Sequence, residues 1–140
     1  MNKPVITGNT IIVPSSLEYL TDVDVFVEGI LRGYGTDEST IADIAISVSE
    51  LVNNAVAHGS QADEEKLVKV AISREDDTVS ITVSDEGTGF CPDEIADPLA
   101  DENLLKEVGR GIFIVKSLMD QVDIDATDDG TTITISKAIK

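Results

Sequence analysis

Glu50, Asn54 and His58 are spaced i, i+4 and i+8, so a helix would carry them on one stripe. An asparagine oxygen is a suitable Mg²⁺ ligand. That ion takes one or two protein ligands and fills its shell with phosphate and water. The stripe lies roughly opposite the apolar one, so a solvated face is the alternative. Against that, adjacent asparagines (Asn53, Asn54) are poor choices for an exposed helix interior. His58, the one histidine, suits a helix C-terminus, where the dipole favours a cation.

A second pair emerges from strand parity. Val79, Ile81 and Val83 alternate with polar residues, and Asp85 is next on the same face. Ile133 and Ile135 alternate likewise, and Thr131 shares their parity. A carboxylate and a hydroxyl are therefore expected on the buried side of two strand ends. An unpaired buried carboxylate is costly. A ligand donor such as an adenine amino group would satisfy Asp85; the alternative is that Asp85 caps the turn at Glu86-Gly87.

Glycines mark two more places. Gly87 and Gly89 follow Asp85 and allow close backbone approach to a ligand. Gly109-Arg110-Gly111 opens onto a helix, whose unpaired N–H groups suit phosphate. Either could be plain punctuation. No G-x-x-x-x-G-K-[ST] loop is present.

The elements that must position these residues follow from periodicity. Thr10 to Val13 reads as a strand. Ser15 and Glu18 fit a capping box for a helix carrying Leu17, Leu20, Val23, Phe26, Val27, Ile30 and Leu31, ended by Gly33-Tyr34-Gly35. Thr36 or Asp37 starts a second helix, running to about His58. Strands at 67–72 and 78–84 form a hairpin across Glu75-Asp76-Asp77. Gly87 to Val108 is a long connection, the length at which loops are commonly lids. A helix from about Gly111 to Met119 precedes a last hairpin, Val122–Ala126 with Thr131–Ser136, across Asp128-Asp129-Gly130. Hairpins give antiparallel pairing, and helices grouped on one face give a two-layer α+β sandwich.

The chain has 140 residues, which predicts a single domain spanning 1–140. Ten Lys and Arg face 27 Asp and Glu, a net charge of −17. Such a chain repels nucleic-acid phosphates; it either attracts a basic protein partner or carries only a soluble, halotolerant surface. No apolar run is long enough to span a bilayer. The absence of a signal peptide at Met1-Asn2-Lys3-Pro4, with the lone Cys91, favours a reducing cytoplasm.

Taken in order, E-x-x-x-N-A-x-x-H on a helix, D-x-G-x-G after a strand, G-x-G-I at a helix start and G-T at a final hairpin resemble the N, G1, G2 and G3 boxes of the GHKL ATPase superfamily. The likeness spans about residues 10–138. It is closer to the freestanding anti-sigma factor serine/threonine kinases, through the strand and helix before the N box and through residues 109–115 running into Leu118-Met119-Asp120.

The resemblance implies a Bergerat-type α/β sandwich with a mixed, largely antiparallel sheet covered by helices on one face, binding ATP and Mg²⁺. Asn54 would coordinate the metal and Asp85 would accept from the adenine amino group, with Thr131 nearby. Gly87 and Gly89 would admit the base. Gly109, Arg110, Gly111 and Ile112 would line the phosphates, residues 91–108 would form the lid, and Glu50 would be the general base. In some of these kinases an arginine two residues before the first glycine of the G-x-G reaches the phosphates. Here that position is Glu107, leaving Lys106 or Arg110 to substitute. The implied partners are an anti-sigma factor antagonist of the STAS type and a sigma factor. Homodimers are common among such proteins, and the N-terminal strand offers an open edge. The competing expectation, motivated by Glu107, is an ATP-binding partner switch without phosphoryl transfer.

Overall fold

The computed structural model describes residues 3–56, 66–85, 111–127 and 130–139. Six strands form one sheet in the order β1-β2-β3-β4-β6-β5: Val5–Thr7, Thr10–Pro14, Leu67–Glu75, Thr78–Asp85, Gln121–Thr127 and Gly130–Ala138 for β1 to β6. All the pairings are antiparallel. The α+β reading therefore holds, and the sheet among the described residues is antiparallel throughout rather than mixed. The strand at 5–7 was not expected. It pairs with β2 through the two-residue turn Gly8-Asn9, where Gly8 takes a positive φ of 57°.

The N-terminal cap differs from the expected one. Ser16, not Ser15, accepts from the Glu18 N–H, and it starts a 3₁₀ turn (Leu17–Tyr19) ahead of helix α1 (Leu20–Gly33). Ser15 is instead buried, its N–H bonded to the Lys66 carbonyl. The end of α1 is as expected. Gly35, at φ 79°, donates to Arg32, and Thr36 donates to Leu31, which closes a Schellman motif. Asp37 then caps α2 (Glu38–Asn54) by accepting from Thr40.

Strand register decides which face is apolar. Ile81 pairs with Ile135 and Val83 with Ile133. These residues are buried together with Val23, Val27 and Leu31 of α1 and Ile41, Ile44, Val48, Leu51 and Val52 of α2. Each buried side chain of this size contributes roughly 1.5–3 kcal/mol. On the opposite face the same strands pair hydroxyls, Thr82 with Thr134 at 3.4 Å and Ser84 with Thr132 at 3.3 Å. A third helix, α3, covers residues 111–118 and sends Ile112 and Val115 into the core, followed by Met119 beyond its end. Two strand ends, the end of α2 and the start of α3 carry the residues singled out above.

Candidate functional site

Asp85 is the last residue of β4, and the parity of Val79, Ile81 and Val83 turns it to the helix face. Its Oδ1 accepts the backbone N–H of Thr131 at 3.2 Å. So the main chain at the start of β6 partners the carboxylate, and the predicted turn at Glu86-Gly87 lies outside the described residues. Among the described residues no donor reaches Oδ2, which leaves an acceptor for a ligand. Burial pushes the Asp85 carboxyl up to about 6, against the opposing pull of the Thr131 N–H and of Lys66. Thr131 is 2% exposed.

Gly130, the glycine of the G-T pair at the final hairpin, is part of this end of the site. A Cβ there would collide with the Asp85 carbonyl oxygen and lie 3.4 Å from its Oδ1. Only a bare α-carbon lets β6 start this close to the carboxylate. The available signal was the Gly130-Thr131 pair, in which the glycine serves the threonine's backbone.

The other end forms where α2 meets α3. Glu50 and Asn54 lie one turn apart on α2, and the start of α3 lies against both. A Cβ on Gly111 would stand 3.0 Å from Asn54 Nδ2 and 3.2 Å from Glu50 Oε2. The face that the alternative reading gave to solvent is therefore partly covered: Asn54 is 2% exposed, and Glu50 is half-buried. Asn54 Nδ2 has no hydrogen-bond partner among the described residues. Leaving such a group unpaired costs roughly 1–3 kcal/mol, which a ligand acceptor would recover. Just beyond Asn54, residues 55–56 widen into a π-type turn, a distortion frequent at functional sites. Ile112, expected to line the nucleotide, packs its side chain into the core, so only its backbone is available to a ligand.

Gly87, Gly89, Lys106, Glu107, Gly109, Arg110, His58 and the lid at 91–108 lie outside the described residues. Among the described residues, no three or more His, Cys, Asp or Glu cluster as a metal cage, and no helix is long and apolar enough to cross a membrane.

In chemical type the described residues fit an adenine nucleotide with a divalent cation. At one end is a half-buried carboxylate with a free acceptor oxygen. At the other, an orphaned amide and a carboxylate meet a glycine backbone at a helix start. These features define a nucleotide-binding α+β sandwich.

The histidine kinase-like ATPase domain family matches residues 13–137, and the chain belongs to that family. Serine-protein kinase RsbW of Staphylococcus aureus (strain MRSA252) is 32% identical over 135 residues, 91% of this chain and 84% of the relative. RsbW of Staphylococcus epidermidis is 33% identical over 134 residues, with the same coverage of 91% and 84%. Among solved structures, the RsbU and RsbW domains of Rv1364c from Mycobacterium tuberculosis match with TM-score 0.67 and 24% identity, over 99% of this chain and 33% of that one. The SiaB-SiaC complex from Pseudomonas aeruginosa matches with TM-score 0.63 and 13% identity, over 98% and 90%. These two share the fold.

Proposed function

We propose that this chain is an ATP-dependent protein serine/threonine kinase. As one domain in the cytoplasm, it phosphorylates an anti-sigma factor antagonist and, as an anti-sigma factor, holds a sigma factor. The observation that carries this is the convergence of Glu50 and Asn54 on Gly111. A carboxylate one turn from an amide places a candidate proton acceptor beside a candidate metal ligand, two of the parts that phosphoryl transfer to a hydroxyl uses. The kinship with serine-protein kinases supports the same reading.

Bound Mg²⁺-ATP would supply the phosphoryl group. Asp85 Oδ2 accepts from the adenine amino group while Thr131 holds Oδ1 in place. The Asn54 amide would hold the metal through its oxygen, and its N–H₂, which has no partner among the described residues, would find an acceptor in a phosphate oxygen. Glu50 accepts the proton of the incoming serine or threonine hydroxyl. Mg²⁺ takes few protein ligands, so Asn54 alone would suffice as the protein's contribution. The net charge of −17 suits a basic partner surface such as a sigma factor carries.

The test is transfer from [γ-³²P]ATP to the cognate antagonist, comparing wild type with Glu50→Gln. Loss of transfer with retained ATP binding is expected. Equal transfer by both proteins would remove Glu50 from the mechanism. Absence of transfer by wild type, with ATP still bound, would favour the second reading, a partner switch without chemistry, which Glu107 motivates.

A further inference from the structure

Thr131, Ile133, Ile135 and Lys137 share one parity on β6, and the first three are buried against the helices. Lys137 continues that series where another apolar residue would be expected, and it is only 19% exposed. Its Nζ donates to the Leu118 carbonyl at 2.7 Å and lies 3.9 Å from Asp43 Oδ2. Leu118 is the last residue of α3, and Asp43 is on α2. One side chain thus joins the sheet, the C-terminal end of α3 and the flank of α2. A lysine at a helix C-terminus satisfies an orphan carbonyl and complements the helix dipole.

The apolar anchors of the described part of α3, Ile112 and Val115, give non-directional contacts that do not fix its position along its axis. The bond to Leu118 does fix it. Asp43 precedes Glu50 and Asn54 by seven and eleven residues, close to whole helical turns, so all three lie on one side of α2. α3 is referenced to that side at both ends: through Lys137 to Asp43 at its C-terminus, and by direct approach of Gly111 to Glu50 and Asn54 at its N-terminus.

We propose that Lys137 is a positioning residue for the phosphate end of the site, holding α3 so that Gly111 stays seated on Glu50 and Asn54. This rests on the nucleotide reading above. Lys137 touches neither nucleotide nor acceptor and acts through α3. Without its ammonium the Leu118 carbonyl and Asp43 lose a shared cation. α3 can then shift, and displacements of the order of an ångström at such sites carry large penalties.

The experiment compares wild type, Lys137→Met and Lys137→Arg, with Asp43→Asn as a milder variant. Arg74→Met serves as a stability control; Arg74 sits over the Tyr34 ring, 5.4 Å from its centroid, and its hydrogen-bond and ion-pair partners lie on the β3–β4 turn and at Tyr34. Two measurements are made: amide hydrogen exchange over residues 111–118 without nucleotide, and ATP affinity by calorimetry. Lys137→Met is expected to exchange faster over 111–118 and to bind ATP roughly tenfold more weakly. Lys137→Arg should recover most of both, because its fork reaches a carbonyl and a carboxylate together. Asp43→Asn should move both the same way by less. Arg74→Met should lower stability without moving either. Unchanged exchange in Lys137→Met, or unchanged affinity beside a wild type that binds ATP, overturns the proposal. Should Lys137→Met fail to fold, Asp43→Asn decides by the same two readouts. A wild type with no affinity for ATP refutes the nucleotide reading instead, and the exchange comparison still decides whether Lys137 holds α3.

Discussion

The Thr131 backbone N–H donates to Asp85 Oδ1 at 3.2 Å and so ties the start of β6 to the end of β4 across 46 residues of chain. The bond uses one oxygen of the carboxylate and fixes its plane. The other oxygen is left as an acceptor on the helix face of the sheet.

Asp85→Asn tests what that oxygen is for. The amide is nearly isosteric, but one of its two heads is a donor. If the Asn oxygen keeps the Thr131 bond, an N–H₂ faces the adenine amino group. ATP affinity should fall about tenfold to a hundredfold, the scale of one mismatched buried hydrogen bond. Calorimetric titration measures it, and an unchanged Kd would show that adenine is bound elsewhere.

The same carboxyl predicts opposite pH slopes for binding and for stability. Burial raises it to about 6, and only its ionised form accepts from the amino group. ADP affinity should be full near pH 8 and fall by about tenfold per pH unit well below 6. Stability of the nucleotide-free protein runs the other way. The folded pKa lies above the ordinary aspartate value near 3.9, so the native state binds the proton more readily than the unfolded chain. Relative to Asp85→Asn, wild type should therefore lose stability as pH rises from about 4 through 6. Urea melts over that range, with parallel ADP titrations, check both slopes. Parallel slopes for the two proteins would remove Asp85 as the source.

Asn54→Leu should separate stability from function. Leucine removes the orphaned Nδ2 at similar volume, so the nucleotide-free protein should gain about 1 kcal/mol in chemical denaturation. ATP binding should be lost in the same variant. A destabilised Asn54→Leu would mean that the amide already has a partner in the free protein.

Gly130→Ala should strain the base end directly. The new methyl group meets the Asp85 carbonyl oxygen, so β6 must move away from β4 at its first residue. A loss of about 1–3 kcal/mol is expected, with weaker nucleotide binding. A melt and an ATP titration that both match wild type would show that β6 starts elsewhere in solution.

Much of this arrangement was legible from residue order. Alternation alone put Asp85 and Thr131 on the inner face of two strands, because a buried face specifies register strongly. Hairpin and helix signals located the described elements except the 3₁₀ turn at Leu17–Tyr19 and β1, whose three residues are too few to show a period. What was hidden depends on through-space partners. A solvated face stayed open as the alternative for the Asn54 stripe because helical periodicity within α2 cannot know that α3 returns over it. Ser16 took the capping role because the chain enters α1 by a 3₁₀ turn, which shifts the cap by one residue. Lys137 breaks the apolar parity of β6, but its partner could not be read from order, since it is a main-chain carbonyl 19 residues earlier.

The β4–β6 pairing has a consequence for the chain as it is made. Asp85 is synthesised well before the residue that orients it, and Thr131 lies among the last ten residues of the sequence. A nascent chain can assemble α1, α2 and the β3–β4 hairpin while its C-terminal segment is still in the ribosome. The Asp85 carboxylate then lacks its Thr131 partner, and α3 is not yet held by β6. Nucleotide capture is therefore expected only once β6 has been made, and a chain truncated before β6 is expected to be blind to ATP whatever else it has folded.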